Sequence, residues 1–171
     1  MDRVRVEFRL NGRDHGTWVW PNQTLLYALR DELGATEVKY GCGEGVCGAC
    51  TVLLDGESVN ACLIFAVQAA GGSITTARGL AEEGSDLGPM QESFLSHGAA
   101  QCGYCTPGML MVAHEFVADH PSASRDEIRE AIAGNLCRCT GYTKIVDAIE
   151  AATRGDRLEP ATRAESGMED G

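Results

Sequence analysis

Aromatic residues make up only 6% of this 171-residue chain. A large aromatic interior is therefore excluded, and small aliphatic side chains must fill whatever core forms. No stretch approaches the ~18 apolar residues of a membrane-spanning helix. The N-terminus, Met1-Asp-Arg-Val-Arg-Val-Glu-Phe8, alternates charged and apolar residues and lacks the apolar segment of a secretory signal. Positive charge is scarce: 14 Lys and Arg stand against 25 Asp and Glu, a net charge of −11. Nucleic acids and anionic membrane surfaces are recognised through basic patches, so neither is an expected partner. P-loop, dinucleotide-binding glycine fingerprint and Ser/His/Asp arrangement are all missing. The histidines His15, His97, His114 and His120 are scattered, none at ligand spacing with a cysteine. The expected location is cytoplasmic.

What the chain does have is 21 glycines and eight cysteines. The cysteines fall into two sets. Cys42, Cys47 and Cys50 follow C-x4-C-x2-C spacing, with Cys62 further on; Cys102-Gly-Tyr-Cys105 is answered downstream by Cys137-Arg-Cys139. A reducing cytosol disfavours disulfides, so two metal centres are the expected use.

Hydrophobic periodicity divides the chain in the same way. Val4, Val6, Phe8 and Leu10 alternate with Arg5, Glu7 and Arg9, the period of a half-buried strand. Asn11-Gly12 is a hairpin turn signal, and Thr17 to Trp20 is the expected return strand, stopped by Pro21. Trp18 and Trp20 share one face of that strand, to pack or to meet a partner. Thr24 opens a short helix with Leu25, Leu26, Leu29 and Leu33 inward and Gly34 at its end. Thr51 to Leu54 resumes a strand, Asp55-Gly56 turns, and Ser58 to Cys62 returns. The predicted class is α+β, beginning with a β-grasp domain over residues 1–78. Beyond it only helices are signalled. Met90 to His97 is one; Pro107 opens a stronger one with Met109, Leu110, Ala113, Phe116 and Val117 at helical spacing. Ser124-Arg-Asp-Glu127 fits a capping box, and Thr143 to Ala152 forms the last helix. These predict a small all-α, four-helix-bundle-like domain over 79–155, with the boundary near 75–85. Residues 156–171, polar and aperiodic, read as a disordered tail.

The first cysteine run, Tyr40-Gly-Cys-Gly-Glu-Gly-Val-Cys-Gly-Ala-Cys50, has the spacing of plant-type [2Fe–2S] ferredoxins. Three thiolates converging on one cluster require the backbone to wrap it closely. Gly41, Gly43, Gly45 and Gly48 permit this by allowing positive φ and removing Cβ atoms. Their amides can then offset the cluster's negative charge. Zinc or disulfide pairs are the bland alternatives. For the second set, spacing leaves open a second iron–sulfur cluster, structural zinc, or redox-active thiols. Arg138, between two of these cysteines, either offsets cluster charge, contacts a partner or is simply solvated.

The strings Gly41-Cys-Gly-Glu-Gly-Val-Cys-Gly-Ala-Cys-Thr-Val52, Gln101-Cys-Gly-Tyr-Cys-Thr-Pro-Gly-Met109 and Asn135-Leu-Cys-Arg-Cys-Thr-Gly-Tyr142 resemble the iron–sulfur part of the molybdenum hydroxylases. That family includes xanthine dehydrogenase, aldehyde oxidoreductase and aerobic carbon monoxide dehydrogenase. The likeness runs from about residue 3 to 154, without a large insertion. Val46 departs from many family members, which carry a smaller residue there, and should alter packing only at the loop's outer face. Because the chain stops where a fused enzyme would continue, it looks like a separate small subunit.

The resemblance implies a plant-type ferredoxin-like domain followed by a helical [2Fe–2S] domain, together carrying two [2Fe–2S] clusters. It implies a molybdopterin-binding large subunit and an FAD-binding medium subunit, assembled as a dimer of heterotrimers. Cys102, Cys105, Cys137 and Cys139 would hold the cluster near molybdenum, and Cys42, Cys47, Cys50 and Cys62 the one nearer flavin. Cys139 and Gln101 would contact the pterin; unaided, Gln101 reads as an ordinary loop residue. The chain would conduct electrons for a partner that oxidises a purine, N-heterocycle, aldehyde or carbon monoxide. The competing readings are a free-standing two-cluster electron carrier and a zinc-stabilised interaction module.

Overall fold

A computed structural model describes residues 2–81 and 86–154. The expected tail at 156–171 lies outside the described residues, as does part of the boundary region at 75–85.

The first half is a five-stranded mixed sheet. Strand β1 (Val4–Leu10) pairs antiparallel with β2 (Arg13–Val19), and β3 (Thr51–Leu54) with β4 (Glu57–Asn60). Both hairpins turn on two successive left-handed residues, Asn11-Gly12 (φ 50° and 78°) and Asp55-Gly56 (φ 53° and 96°). That twist matches the right-handed twist of the flanking strands. Val6, Phe8 and Leu10 are buried as the alternation predicts, but Val4 is partly exposed at the strand's start. The return strand begins at Arg13, four residues before the expected Thr17, because the tight turn lets pairing start at once. Trp18 and Trp20 stay exposed, with the Arg3 guanidinium 5.4 Å from the Trp20 ring.

A fifth strand, β5 (Ser73–Thr75), was not anticipated. It lies at the centre of the sheet, in the order β2-β1-β5-β3-β4, parallel to β1 and antiparallel to β3. Three residues are too few to show alternation, so this strand exists by virtue of its neighbours. The two hairpins are joined only through it. The helix opened by Thr24, α1 (Leu25–Tyr27), runs directly into a π-helical turn at Ala28–Glu32. Leu25, Leu26 and Leu29 are fully buried against the sheet and Leu33 is partly buried.

Among the described residues the second half contains four α-helices: α2 (Pro89–Ser96), α3 (Thr106–Asp119), α4 (Arg125–Ala131) and α5 (Thr143–Thr153). The capping box on α4 closes as predicted. Glu127 N–H donates to Ser124 Oγ at 3.4 Å and Ser124 N–H to Glu127 Oε2 at 2.8 Å. Arg125 ties α4 to α5 through Asp147 (2.7 Å) and Glu150 (2.5 Å). Met109, Met111, Ile128, Ile132, Ile145 and Ile149 form a core separate from that of the sheet. The two halves nevertheless pack together. Leu53 of β3 is buried in the helical core, and Ser58 N–H donates to Glu115 of α3 at 3.1 Å. This contact brings both cysteine sets to neighbouring loops. Among the described residues no helix is long and apolar enough to cross a membrane.

Candidate iron–sulfur sites

The loop between the π-helical turn and β3 carries Cys42, Cys47 and Cys50. Cys62 follows β4 and is buried. Gly41 stands where a Cβ would lie 2.6 Å from Cys47 Sγ, and at Gly45 one would lie 2.4 Å from a Leu63 methyl. The loop is thus too tight for side chains at these points. Its amides turn inward: Cys42 N–H donates to Cys47 Sγ (3.3 Å), and Glu44 and Val46 N–H both donate to Cys42 Sγ (3.4 and 3.3 Å). The Glu44 amide, followed by Cys47 and then Val46, lowers the Cys42 thiol to about 6. Donors aimed at sulfur favour the thiolate, which is the form that binds metal. Burial pushes the Cys50 thiol up to about 12, with Cys62 and Cys47 adding to the rise. Metal must displace that proton on binding. Val46 is exposed on the outer face of the loop, where its side chain does not disturb the sulfurs.

The second set is split between two chain segments. Cys102 and Cys105 lie in the turn leading into α3; Cys137 and Cys139 lie in the loop between α4 and α5. The fold brings them together, with Cys139 Sγ 3.5 Å from Cys102 Sγ. Burial first, then Cys137 and Cys102, push the Cys105 thiol up to about 12. The hydrogen bond to Cys102 raises Cys139. At Cys137 burial opposes ionisation, but the Thr140 hydroxyl and the amides of Thr140 and Cys139 prevail and lower the thiol. Cys102 and Cys139 are exposed, as is Gln101 just before them, while Cys105 and Cys137 are partly covered.

All eight cysteines are free thiols rather than disulfides. Their side chains interact in four pairs: Cys42 with Cys47, Cys50 with Cys62, Cys102 with Cys139, and Cys105 with Cys137. Two pairs per site suit a two-iron cluster, which takes two thiolates on each iron. Among the described residues no group of three or more His, Cys, Asp or Glu is arranged to hold a single metal ion. A paired arrangement around two irons does not require one. Glycines that admit no Cβ, together with amides donating to sulfur, fit such a cluster on the same grounds.

The two cysteine loops are joined directly. Leu136 N–H donates to the Cys47 carbonyl at 2.9 Å, and Asn135 Nδ2 to the Gly48 carbonyl at 3.0 Å. The Tyr104 hydroxyl donates to the Tyr40 carbonyl. Gly108 permits this approach, since a Cβ there would lie 2.2 Å from the Gly48 oxygen. Asn135 is only 4% exposed. Sequence reading passed over Asn135, Tyr104, Thr140 and Tyr142, although all four flank cysteines in the strings that carry the family likeness. A polar residue beside a ligand was the available signal, but Asn135 and Tyr104 find their partners far away in sequence, and Thr140 and Tyr142 meet theirs only through the left-handed turn at Gly141 and Tyr142.

Comparison with known proteins bears on both loops. A family model described as "2Fe-2S iron-sulfur cluster binding domain" matches residues 8–70, and one described as "[2Fe-2S] binding domain" matches residues 76–150. Caffeine dehydrogenase subunit gamma of Pseudomonas sp. strain CBB1 is 52% identical over 151 residues, spanning 86% of this chain and 90% of its own. The nicotinate dehydrogenase small FeS subunit of Eubacterium barkeri is 45% identical over 152 residues, spanning 89% and 96%. A crystal structure of quinoline 2-oxidoreductase from Pseudomonas putida 86 superposes with a TM-score of 0.85 at 48% identity, covering 91% of this chain and 99% of that one.

Sheet, bundle and cysteine loops together define a protein with two [2Fe–2S] domains, built to carry two such clusters. The chain belongs to the iron–sulfur small subunits of the molybdenum hydroxylases, and its role in such an oxidoreductase is electron transfer rather than substrate chemistry. Molybdopterin and FAD belong to partner subunits in this family.

Proposed function

We propose that this chain takes electrons from a molybdopterin centre in a large subunit and delivers them to FAD in a medium subunit. In this reading Cys42, Cys47, Cys50 and Cys62 hold one [2Fe–2S] cluster within a ferredoxin-like domain at 1–78. Cys102, Cys105, Cys137 and Cys139 hold the other within a helical domain at 79–155. Each cluster, when bound, supplies a site that accepts and releases an electron at a potential set by its ligands and their hydrogen bonds.

The observation that carries the proposal is the hydrogen bond from Leu136 N–H to the Cys47 carbonyl at 2.9 Å. Leu136 precedes Cys137, so covalent bonds and one short hydrogen bond link a ligand of each set. Two clusters in separate proteins would need no such link. The exposed end, Cys102 and Cys139 with Gln101, faces outward as an entry from the pterin would require. The loop of Cys42 to Cys50 is the corresponding exit toward flavin. Relatives named for caffeine and nicotinate, and the likeness to a quinoline enzyme, favour an N-heterocycle as substrate of the whole enzyme. The complex is read as a cytoplasmic dimer of heterotrimers.

Purification of the native protein tests this reading. It should arrive with a molybdopterin subunit and a flavin subunit, and contain about four irons per chain, two for each cluster. Recovery of the chain alone with full iron content would instead support a free-standing carrier. Zinc in place of iron would support an interaction module.

A further inference from the structure

The loop that carries Cys137 and Cys139 ends in Thr140-Gly141-Tyr142. Gly141 and Tyr142 are both left-handed, with φ of 64° and 67°. Two such residues in succession turn the chain back on itself. Tyr142 N–H thereby donates to Thr140 Oγ1 at 3.2 Å. The Tyr142 hydroxyl holds the other end of the loop, accepting from Cys137 N–H at 2.8 Å and donating to the Asn135 carbonyl at 3.2 Å. Between these anchors, Thr140 Oγ1 lies 3.1 Å from Cys137 Sγ. Among the described residues it is the one hydroxyl hydrogen-bonded to a cysteine sulfur.

The direction of that bond follows from chemistry. A cysteine sulfur bound to iron has no proton and can only accept. The Tyr142 amide occupies one lone pair of the threonine oxygen, which leaves the hydroxyl hydrogen to point at the sulfur. A donor on a ligand sulfur withdraws electron density from the cluster and favours its reduced, more negative state. At the first site the sulfur of Cys42 receives backbone amides, which no side-chain substitution removes. At the second site the sulfur of Cys137 receives a side-chain hydroxyl in addition to the amides of Thr140 and Cys139, and that donor can be removed by substitution.

We propose that Thr140 is a positioning residue for electron flow: acting through Cys137, its hydroxyl holds the reduction potential of the second cluster up. The inference rests on Cys137 being a ligand of that cluster. Its test is an EPR-monitored redox titration of the purified holoenzyme carrying Thr140→Val, Thr140→Ala or Thr140→Ser. Valine keeps the shape and removes the hydroxyl. The second cluster should become harder to reduce, with the equilibrium for sharing an electron between the clusters moving about tenfold toward the first. For one electron that is a midpoint shift of about 59 mV to more negative potential. The alanine variant should shift in the same direction, the serine variant should keep the wild-type midpoint, and the first cluster should not move in any of them. Unchanged second-cluster midpoints in the valine and alanine variants overturn the inference. So does loss of the second cluster from both while serine retains it, since the hydroxyl would then be needed for loading rather than for tuning. A departure of the serine variant from wild type overturns it too. A wild-type enzyme without a second EPR signal would remove the ligand assignment itself, which separates the two failures.

Discussion

The two cysteine sites solve the same problem with different materials. The first is a single glycine-rich loop: three cysteines within nine residues, amides turned onto sulfur, and Cys50 and Cys62 buried. Three of its four cysteines are local, Cys62 arrives from beyond β4, and its donors are backbone. The second is assembled from two segments that meet only when α3, α4 and α5 pack. Its donors include side chains, and two of its four sulfurs are exposed. A backbone cradle is insensitive to most substitutions except those at glycine. A side-chain cradle can be adjusted one residue at a time, but it fails if the helices separate.

Substitution of a cysteine should separate the sites most sharply. Cys139→Ser is expected to lose the second cluster and keep the first, so iron should fall to about two per chain. Iron analysis together with EPR checks this, and loss of both clusters would show that the sites are not independent. Gly48→Ala comes next, because it strikes the junction that the two sites share. Gly48 has φ 67°, and an added Cβ would lie 2.7 Å from the Gly134 carbonyl. Left-handed strain alone costs about 1–2 kcal/mol, so thermal melting should show a larger loss than that.

Asn135→Ala tests the same junction more gently. It removes one of the donors to the buried Gly48 carbonyl, which keeps the Thr51 hydroxyl and amide, so the cost is that of a single hydrogen bond, about 0.5–1.5 kcal/mol. Chemical denaturation should register the loss, while Asn135→Ala at wild-type stability would show that the link between the loops is not structural. Ser124→Ala, on the helical half only, removes a helix cap worth about 1 kcal/mol. It should lower the melting of the helical core and leave the first cluster's spectrum unchanged.

The smallest effect is a pH dependence through Glu127. The Ser124 hydroxyl, then its amide, hold the Glu127 carboxyl below its ordinary value of 4.5. A depressed folded pKa means that its contribution to stability is present above the ordinary value and is lost as pH falls through the folded one. The stability gap between wild type and Ser124→Ala should therefore narrow as pH falls below that ordinary value. A constant gap between them would rule out the charge on Glu127 as part of the cap.

Much of the fold was legible because its signals are short-range. Asn11-Gly12 and Asp55-Gly56 place both hairpins, and Ser124 with Glu127 places the start of α4. Alternation from Val6 to Leu10 and helical spacing from Met109 onward name the buried faces. What escaped was non-local or carried no residue-type signal. Ser73–Thr75 carries no periodicity, yet it is the central strand, since only β1 and β3 on either side make it one. The π-helical turn at Ala28–Glu32 was equally silent, because no residue type marks the extra step. At the candidate sites, the cysteines declared themselves by spacing. Asn135, Thr140 and Tyr142 did not, because nothing in their spacing states which atoms they will meet.

The sequence by itself determined the thiolate inventory, the glycines that let backbone close on sulfur, and the separation into a sheet half and a helical half. These depend on residue type and on spacings of a few residues, where covalent geometry limits the options. Only the tertiary structure decided that β5 joins the hairpins, that Leu53 enters the helical core, and that Leu136 reaches Cys47 across 89 positions of chain. Those contacts arise from burying two apolar faces against one another, and the pairing of distant groups is a property of the packed whole rather than of either segment.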